Sequence, residues 1–375
     1  MDFDFTDDQE SLRDAVRRWV DKGFSFERRH GIAKAGGATR EVYRELAGLG
    51  LAGLAVSEGH GGLGFGAIEA MVVCEELGRG LVNAPYAEAA LMAPALLAAA
   101  PAVLQGAWLP RLAAGEVLVV PAIHEAAARY RLAQVGMQAA VAGDQWTLTG
   151  VKTGVPAGDE ADAYLVPARH RGAAGDSAGI GLFLVARGAA QVRGFPTQDG
   201  ARAAEIVLAA TPAALISAEG CDALEAAVDI GLAAQCAEAV GLMDRLVAIT
   251  VEYMNTRKQF GVPIASFQAL RHRMADVKMQ LELGRSMSYY ASLKLGEVAP
   301  QRRRAVSQAR VQLGQSMRFV GQQCIQLHGG IGVTDEYVGS HYFKRLTMLE
   351  MAFGDTMHHL GEVSVRMQET AGVFA

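Results

Sequence analysis

The chain has 375 residues, 51% of them hydrophobic and 20% charged, with a formal net charge of −5 and a pI near 6.0. It is long enough to bury a sizeable core and to divide into two or three domains. The charge balance gives no basic field, and no basic tract is interleaved with aromatics, so nucleic acid is not an expected partner. Cys74, Cys221, Cys236 and Cys324 are scattered without C-x-x-C spacing, which argues against a zinc knuckle or a disulfide framework. Reduced thiols of this kind suit a cytoplasmic protein. The opening "MDFDFTDDQESLRD" is acidic without an apolar h-region, and the apolar stretches elsewhere read as Ala-rich, interrupted and short of a spanning length. Neither export nor membrane insertion is expected.

In chain order, Thr6 starts a capping-box pattern with Gln9, and Leu12, Val16 and Val20 recur every four residues, which predicts an amphipathic helix over 6–22. Further helical periods fall at about 40–49, 67–78, 86–99 and 102–113, interrupted by the glycine-rich "SEGHGGLGFG" at 57–66. Residues 1–114 thus read as an all-α domain. From "GEVLVVPAIHE" onward the texture changes to short β-branched or aromatic runs separated by Gly, Asp and Pro: "MQAAVAG", "QWTLTGVKTG", "DAYLVPAR", "GIGLFLVAR" and "AEIVLAA". These predict a small antiparallel β domain over 115–220. From 221 to 375 the helical period returns in very long segments, with Pro300 separating the second from a third that runs to about His328. Long helices joined by short connections imply a four-helix bundle. The fold class is α+β, with no internal repeat.

Three stretches carry a family resemblance. "TRKQFGVPIASFQALRHRMADVKMQLE" (256–282) resembles the acyl-CoA dehydrogenase signature R-x-x-F-G-x-x-I-x-x-F-Q followed by a bundle helix. "QLHGGIGVTDEY" (326–337) is similar to that family's Q-x-x-G-G-x-G-x-x-x-E. "YRELAGLGLAGLAVSEGHGGLG" with "CEELGRG" (43–80), and the opening segment, resemble its N-terminal domain. The resemblance covers essentially the whole chain. It implies the acyl-CoA dehydrogenase fold: an N-terminal helical domain, a middle β-barrel-like domain and a C-terminal four-helix bundle. The implied activity is FAD-dependent α,β-desaturation of an acyl-CoA thioester, with an electron-transfer flavoprotein or oxygen as acceptor.

Arg257, at the end of a long helix, offers a fork of donors suited to a diphosphate, and Phe260 can cover an adenine or pack the turn. Gly329, Gly330 and Gly332 let backbone amides approach a phosphate or ribose. The resemblance implies that Arg257, Gln259, Phe260, Gln326, Gly329 and Gly330 contact the adenosine diphosphate half of FAD across a dimer interface, in the neighbouring subunit. Taken singly, "GGIG" is a helix terminator and Arg257 a solvated helix end; their joint spacing favours the cofactor reading. A Rossmann reading of "GGLGFG" or "GGIG" fails, because neither sits in a βαβ unit.

The chain departs from the family at its chemistry. The usual base is a Glu in a Y-E-G-T loop, and an ungapped count from Glu336 puts Phe353 there, with Gly354 on the glycine. The alternative base of some members, in an E-R pair before a Gly-Leu dipeptide, falls on Gly231-Leu232 ahead of Gly241-Leu242. In the β domain the T-E-P-x-x-G-S-D motif that holds the flavin ring has become "AIHEAAARYRL" (122–132), keeping only Glu125. The later ring-stacking motif keeps Lys152 but reads Gly154-Val155-Pro156-Ala157 beyond it. Trp146, Leu148 and Gly150 are strand and turn residues. The chain therefore keeps the half of the FAD site given to a neighbour and loses the half a subunit supplies for its own flavin, whereas random decay would blur both.

Three readings follow. The first is a partner subunit of a heteromeric acyl-CoA dehydrogenase, contributing half of a shared FAD site to a homologous catalytic subunit, in lipid or steroid catabolism where the acyl group is bulky. The second is a self-sufficient homomer, a dimer of dimers with a substitute base, Glu350 or Asp355. The third is a non-catalytic acyl-CoA-binding or structural member. His60, His124 and His328 read as turn or packing residues. In "TMLEMAFGDTMHHLGE" Asp355, His358, His359 and Glu362 share a helix face, but a metal cage needs ligands from a second element and no other His or Cys cluster appears, so no metal is expected. Asp355 is suited instead to cap the last helix.

Overall fold

Thr6 closes the first helix, α1 (Asp7–Gly23), with a full capping box: its hydroxyl accepts from the Gln9 amide at 3.3 Å and the Gln9 side chain accepts from the Thr6 amide at 3.1 Å. The computed structural model describes residues 5–143 and 145–371, so the first four residues of the acidic opening lie outside it. Helices α2 (Phe26–Lys34), α3 (Arg40–Gly48), α4 (Ala67–Arg79), α5 (Ala93–Leu97, continuing a π-helical turn at Ala87–Met92) and α6 (Ala102–Ala113) follow. Hydrophobic periodicity gives no sign of α2, because "FERRHGIAK" has no apolar stripe at helical spacing and buries Arg29 instead.

The strands are β1 (Val119–Pro121), β2 (Gln138–Ala142), β3 (Gln145–Pro156), β4 (Ala163–Arg169), β5 (Ile180–Ala186), β6 (Gln191–Pro196) and β7 (Arg202–Ser217). The expected purely antiparallel sheet is corrected here: β1 runs parallel to β4, with Val119 opposite Ala163, and β2 touches β4 in parallel at Gln138 and Arg169. The chain passes through β2 and β3 before returning as β4, so β1 and β2 meet it running the same way. The pairs β2–β3, β3–β7, β7–β5 and β5–β4 are antiparallel and, with β2–β4, close the ring, which gives the barrel. Every residue of β4 is buried, and Tyr164, Val166, Phe183, Val185, Ile206 and Leu208 fill the interior. The outer strand β6 pairs only with β7 and is largely exposed, so its residues carry too weak an apolar pattern to announce a strand.

The long helices are α7 (Cys221–Thr256), α8 (Gln268–Lys294) and α9 (Ala299–His328), followed by α10 (Val338–Met351) and α11 (Thr356–Ala371). A two-residue-strand hairpin, β8 (Lys258–Gln259) with β9 (Val262–Pro263), joins α7 to α8. Pro300 sits in the first turn of α9, where its missing N–H costs nothing. Among the described residues α7 is long and apolar enough to cross a membrane by length and composition, contrary to the expectation that every apolar stretch is too short. Yet 83% of its apolar window is buried inside the protein, as befits a core helix.

The described residues group into two compact units: those within Met1–Arg29, Ala67–Val82 and Leu232–Ala375 in the first, those within His30–Gly66 and Asn83–Gly231 in the second. In the first, α4 and α7 approach to backbone contact. A Cβ on Gly241 would lie 2.7 Å from the Arg79 nitrogen, and one on Gly78 would fall 2.9 Å from the Glu238 carbonyl carbon, so only glycine allows the crossing. Ser316 of α9 donates to the Gln280 carbonyl of α8 at 2.8 Å, and α9 packs against α8, α10 and α11. In the second, the α3 N-terminus is capped from the barrel by Glu160, which accepts from the Thr39 and Arg40 amides at 2.9 and 2.7 Å.

Candidate functional site

Two pieces of chain meet at one end of the helical unit. The last turn of α7 delivers Arg257, whose amide donates to the Tyr253 carbonyl at 2.8 Å, and the chain then reverses in the β8–β9 hairpin. Its two turn residues, Phe260 at φ +53° and Gly261 at φ +83°, are both left-handed, the geometry that matches strand twist in two-residue hairpins. Phe260 is thereby thrust outward, 92% exposed, and Arg257 and Gln259 are exposed beside it. At the end of α9, Gln326 is exposed on the last turn and Gly329 ends the helix at φ +65°. Added Cβ atoms at Gly329 and Gly330 would meet nothing within 4 Å, so their backbone is uncovered. Met254, Ile264 and Leu327 form a small buried cluster that ties the hairpin end of α7 to the end of α9. All six residues singled out in the sequence thus lie on one end of one unit, open to solvent. They fit the adenosine diphosphate half of FAD: a charged fork, an exposed ring and uncovered amides.

The loop between α10 and α11 is built in detail around Phe353 and Gly354. Phe353 is 8% exposed and sits at φ +54°, a backbone region that disfavours bulky residues by about 1–2 kcal/mol. Gly354 follows at φ +131°, where a Cβ would lie 2.7 Å from His359 Nε2. Arg310, on α9, holds this loop. It is 2% exposed, and its Nη2 lies 2.8 Å from the Leu349 carbonyl, 3.2 Å from Glu350, and 3.1 Å from both Ala352 and Gly354. Four carbonyl dipoles converge on one guanidinium. Sequence reasoning missed Arg310, although a signal exists: in α9 it shares the core face with Val306, Leu313 and Met317, where a charge must find buried acceptors.

The carboxylates near this loop are engaged with the start of α11. Glu350 Oε1 accepts from the Thr356 hydroxyl at 2.7 Å and from its amide at 3.1 Å, and Asp355 Oδ1 accepts from the His358 amide at 2.8 Å. Glu362 pairs with Arg366 at 2.9 Å. His359 is 3% exposed and, among the described residues, neither ring nitrogen has a hydrogen-bond partner. Burial, with Arg310, His358 and Arg303 nearby, pushes its pKa down to about 2, which favours the neutral ring.

In the barrel unit, the two remnants of the ring-side motifs bond to each other. Lys152 is fully buried; its Nζ donates to Glu125 Oε1 at 2.6 Å and to the Ile123 carbonyl at 3.3 Å. Glu125 also accepts from the Gly136 and Met137 amides at 2.8 and 3.2 Å, and the Thr153 amide donates to the His124 carbonyl. Burial lowers the Lys152 pKa while Glu125 opposes the shift, and burial together with the Lys152 charge lowers that of His124. Beyond Lys152, Val155 and Ala157 are turned into the barrel core, 1% and 4% exposed. Lys152 and Glu125 bond to each other, and Gly154, Val155, Pro156 and Ala157 carry no side-chain hydroxyl or amide, so the motif positions do not fit the flavin-ring half of the cofactor. Lys152→Met should cost about 3–5 kcal/mol, because it strands Glu125 in a largely dry site. Chemical denaturation of the purified chain measures this, and a loss under about 1 kcal/mol would show the pair to be dispensable.

Comparison with known proteins places these features in a family. The acyl-CoA dehydrogenase N-terminal domain model matches residues 6–116 and the C-terminal domain model residues 218–367. The acyl-CoA dehydrogenase FadE27 of Mycobacterium tuberculosis is 28% identical, over 99% of this chain and 100% of that one. Among solved structures, the ChsE4-ChsE5 complex from Mycobacterium tuberculosis contains a chain that superposes with a TM-score of 0.88 at 29% identity, covering 98% of this chain and 99% of that one. A variant of the steroid ACAD Tcur3481-Tcur3483 gives 0.86 at 26% identity, over 97% and 99%.

Proposed function

This chain belongs to the acyl-CoA dehydrogenase family of FAD-binding oxidoreductases acting on acyl-CoA, and within it we propose that it serves as the base-lacking subunit of a heteromeric enzyme. The observation that carries this reading is the α10–α11 loop, where Phe353 occupies the position of the expected glutamate on a backbone held by Arg310. FAD, when bound, accepts the hydride lost from the acyl β carbon; the carboxylate that takes the α proton then comes from the partner. This chain's part is to present Arg257, Gln259, Phe260, Gln326, Gly329 and Gly330 to the adenosine diphosphate of a cofactor whose ring rests on the partner subunit.

The substrate proposed is a bulky acyl-CoA of steroid origin. One structural relative, a steroid ACAD, supports this substrate, and the other, a complex of two differently named chains, supports the heteromeric assembly. An electron-transfer flavoprotein is the proposed acceptor, and the cytoplasm the proposed location. A self-sufficient homomer would need Glu350 or Asp355 as base, but both carboxylates are held at the α11 N-terminus.

Expression separates the readings. Alone, the chain should be colourless and inactive in dye reduction; co-expressed with a homologue that carries the loop glutamate, it should co-purify as a yellow, active complex. Yellow, active protein from this chain alone would overturn the reading, and failure of every such homologue to co-purify would favour the acyl-CoA-binding alternative. In the active complex, Glu350→Gln should leave turnover within about twofold of wild type while lowering stability by about 1 kcal/mol through the weakened helix cap. A drop in turnover of about 100-fold or more, equivalent to about 2.7 kcal/mol, would make Glu350 the base.

A further inference from the structure

His328 is 3% exposed and is the last residue of α9, directly before the glycine turn. Its Nδ1 lies 2.8 Å from the Cys324 carbonyl and its Nε2 lies 2.8 Å from the Tyr337 hydroxyl. A carbonyl oxygen only accepts, so Nδ1 carries the proton; the neutral ring is then left with a lone pair on Nε2, which accepts from Tyr337. Burial lowers the ring's pKa against the opposing pull of the Cys324 carbonyl, in keeping with a neutral imidazole. The ring also packs on Tyr253 at 4.7 Å between centroids and on Tyr337 at 4.9 Å.

These contacts join the three segments that present the adenosine-side residues. Tyr253 is one turn ahead of Arg257, and its carbonyl accepts from the Arg257 amide at 2.8 Å. Cys324 belongs to the turn of α9 that carries Gln326. The glycine turn folds back on His328 so closely that a Cβ on Gly332 would lie 2.9 Å from the His328 Cβ. Tyr337 then fixes where the chain leaves that turn, before α10. The Met254–Ile264–Leu327 cluster ties the two helix ends by apolar packing, and the His328 ring adds the directional hydrogen bonds that reach the glycine turn itself.

We infer that His328, with Tyr337 and Tyr253, is the positioning device of the donated half-site: it sets Arg257, Gln326 and the Gly329–Gly330 backbone at the spacing an adenosine diphosphate requires. The ring is 3% exposed and acts through the residues around it. Its role rests on the proposed function above, and it makes FAD affinity, rather than the chemistry at the flavin ring, depend on a buried histidine.

The test uses the co-purified complex, stripped of flavin and titrated with FAD by the loss of free-FAD fluorescence. His328→Phe keeps the ring stacking and removes both hydrogen bonds, and Tyr337→Phe removes only the donor to Nε2. Each should raise the FAD Kd about tenfold, the scale on which outer-sphere partners tune a site. The double variant should be no weaker than the weaker single one, since both break one coupled contact. In reconstitution assays the KM for FAD should rise with kcat at saturating FAD unchanged, a split that general destabilisation would not give. Arg257→Gln is the reference. If it weakens FAD while His328→Phe and Tyr337→Phe leave Kd unchanged, the positioning role is overturned and the half-site reading stands. If Arg257→Gln has no effect either, both are overturned.

Discussion

Arg310→Met should destabilise the chain by about 3–5 kcal/mol. The wild-type guanidinium is buried at 2% exposure and faces the carbonyls of Leu349, Glu350, Ala352 and Gly354. Methionine would replace the aliphatic stem, but it gives those oxygens no donor. The loop that would then relax contains Phe353 at φ +54°, a conformation that disfavours itself and persists because its surroundings impose it. Arg310→Lys should recover part of the loss, since an ammonium keeps the charge without the planar fork. Urea denaturation reads this as a fall in midpoint at unchanged m-value. A loss below about 1 kcal/mol for Arg310→Met would mean that the loop finds other donors.

Arg257→Gln should weaken FAD binding by the complex about 10–100-fold, the scale of losing charge-assisted hydrogen bonds to a diphosphate. It should do so without changing the stability of this chain by more than about 0.5 kcal/mol, because the side chain is exposed. That pairing of a large ligand effect with a negligible folding effect marks a binding residue. A fall in stability with no change in FAD affinity would reassign Arg257 to the end of α7 as a structural residue.

The parts of this molecule written in local pattern are legible in its residues. The capping box at Thr6, the switch to β texture after residue 114 and the long apolar periods beyond 221 each have a physical signature within a short window, and helices and strands lie where those signatures fall. Arg257, Phe260 and the glycines stand out in the sequence through their joint spacing in the family resemblance, and the structure brings them to one end of the helical unit. What escapes depends on contacts between segments far apart in the chain. Arg310 acts on carbonyls some forty residues downstream, which no spacing rule within a helix announces. His328 reads in sequence as a packing residue; only its joint contact with Cys324, Tyr337 and Tyr253 gives it a role in holding the glycine turn. The parallel β1–β4 pair is likewise a matter of where the chain returns. Glu350 and Asp355 look equally available as carboxylates in the sequence, and the structure engages both at one helix terminus.

On the proposed function this chain completes a flavin site without owning one, and flavin content per chain tests that most directly. In the purified complex with its catalytic homologue, the subunit ratio by intact mass and the FAD released on denaturation should give one FAD for each pair of unlike chains, or about half a flavin per polypeptide. One FAD per polypeptide, or a homomer of this chain that binds FAD in equal number, would contradict it.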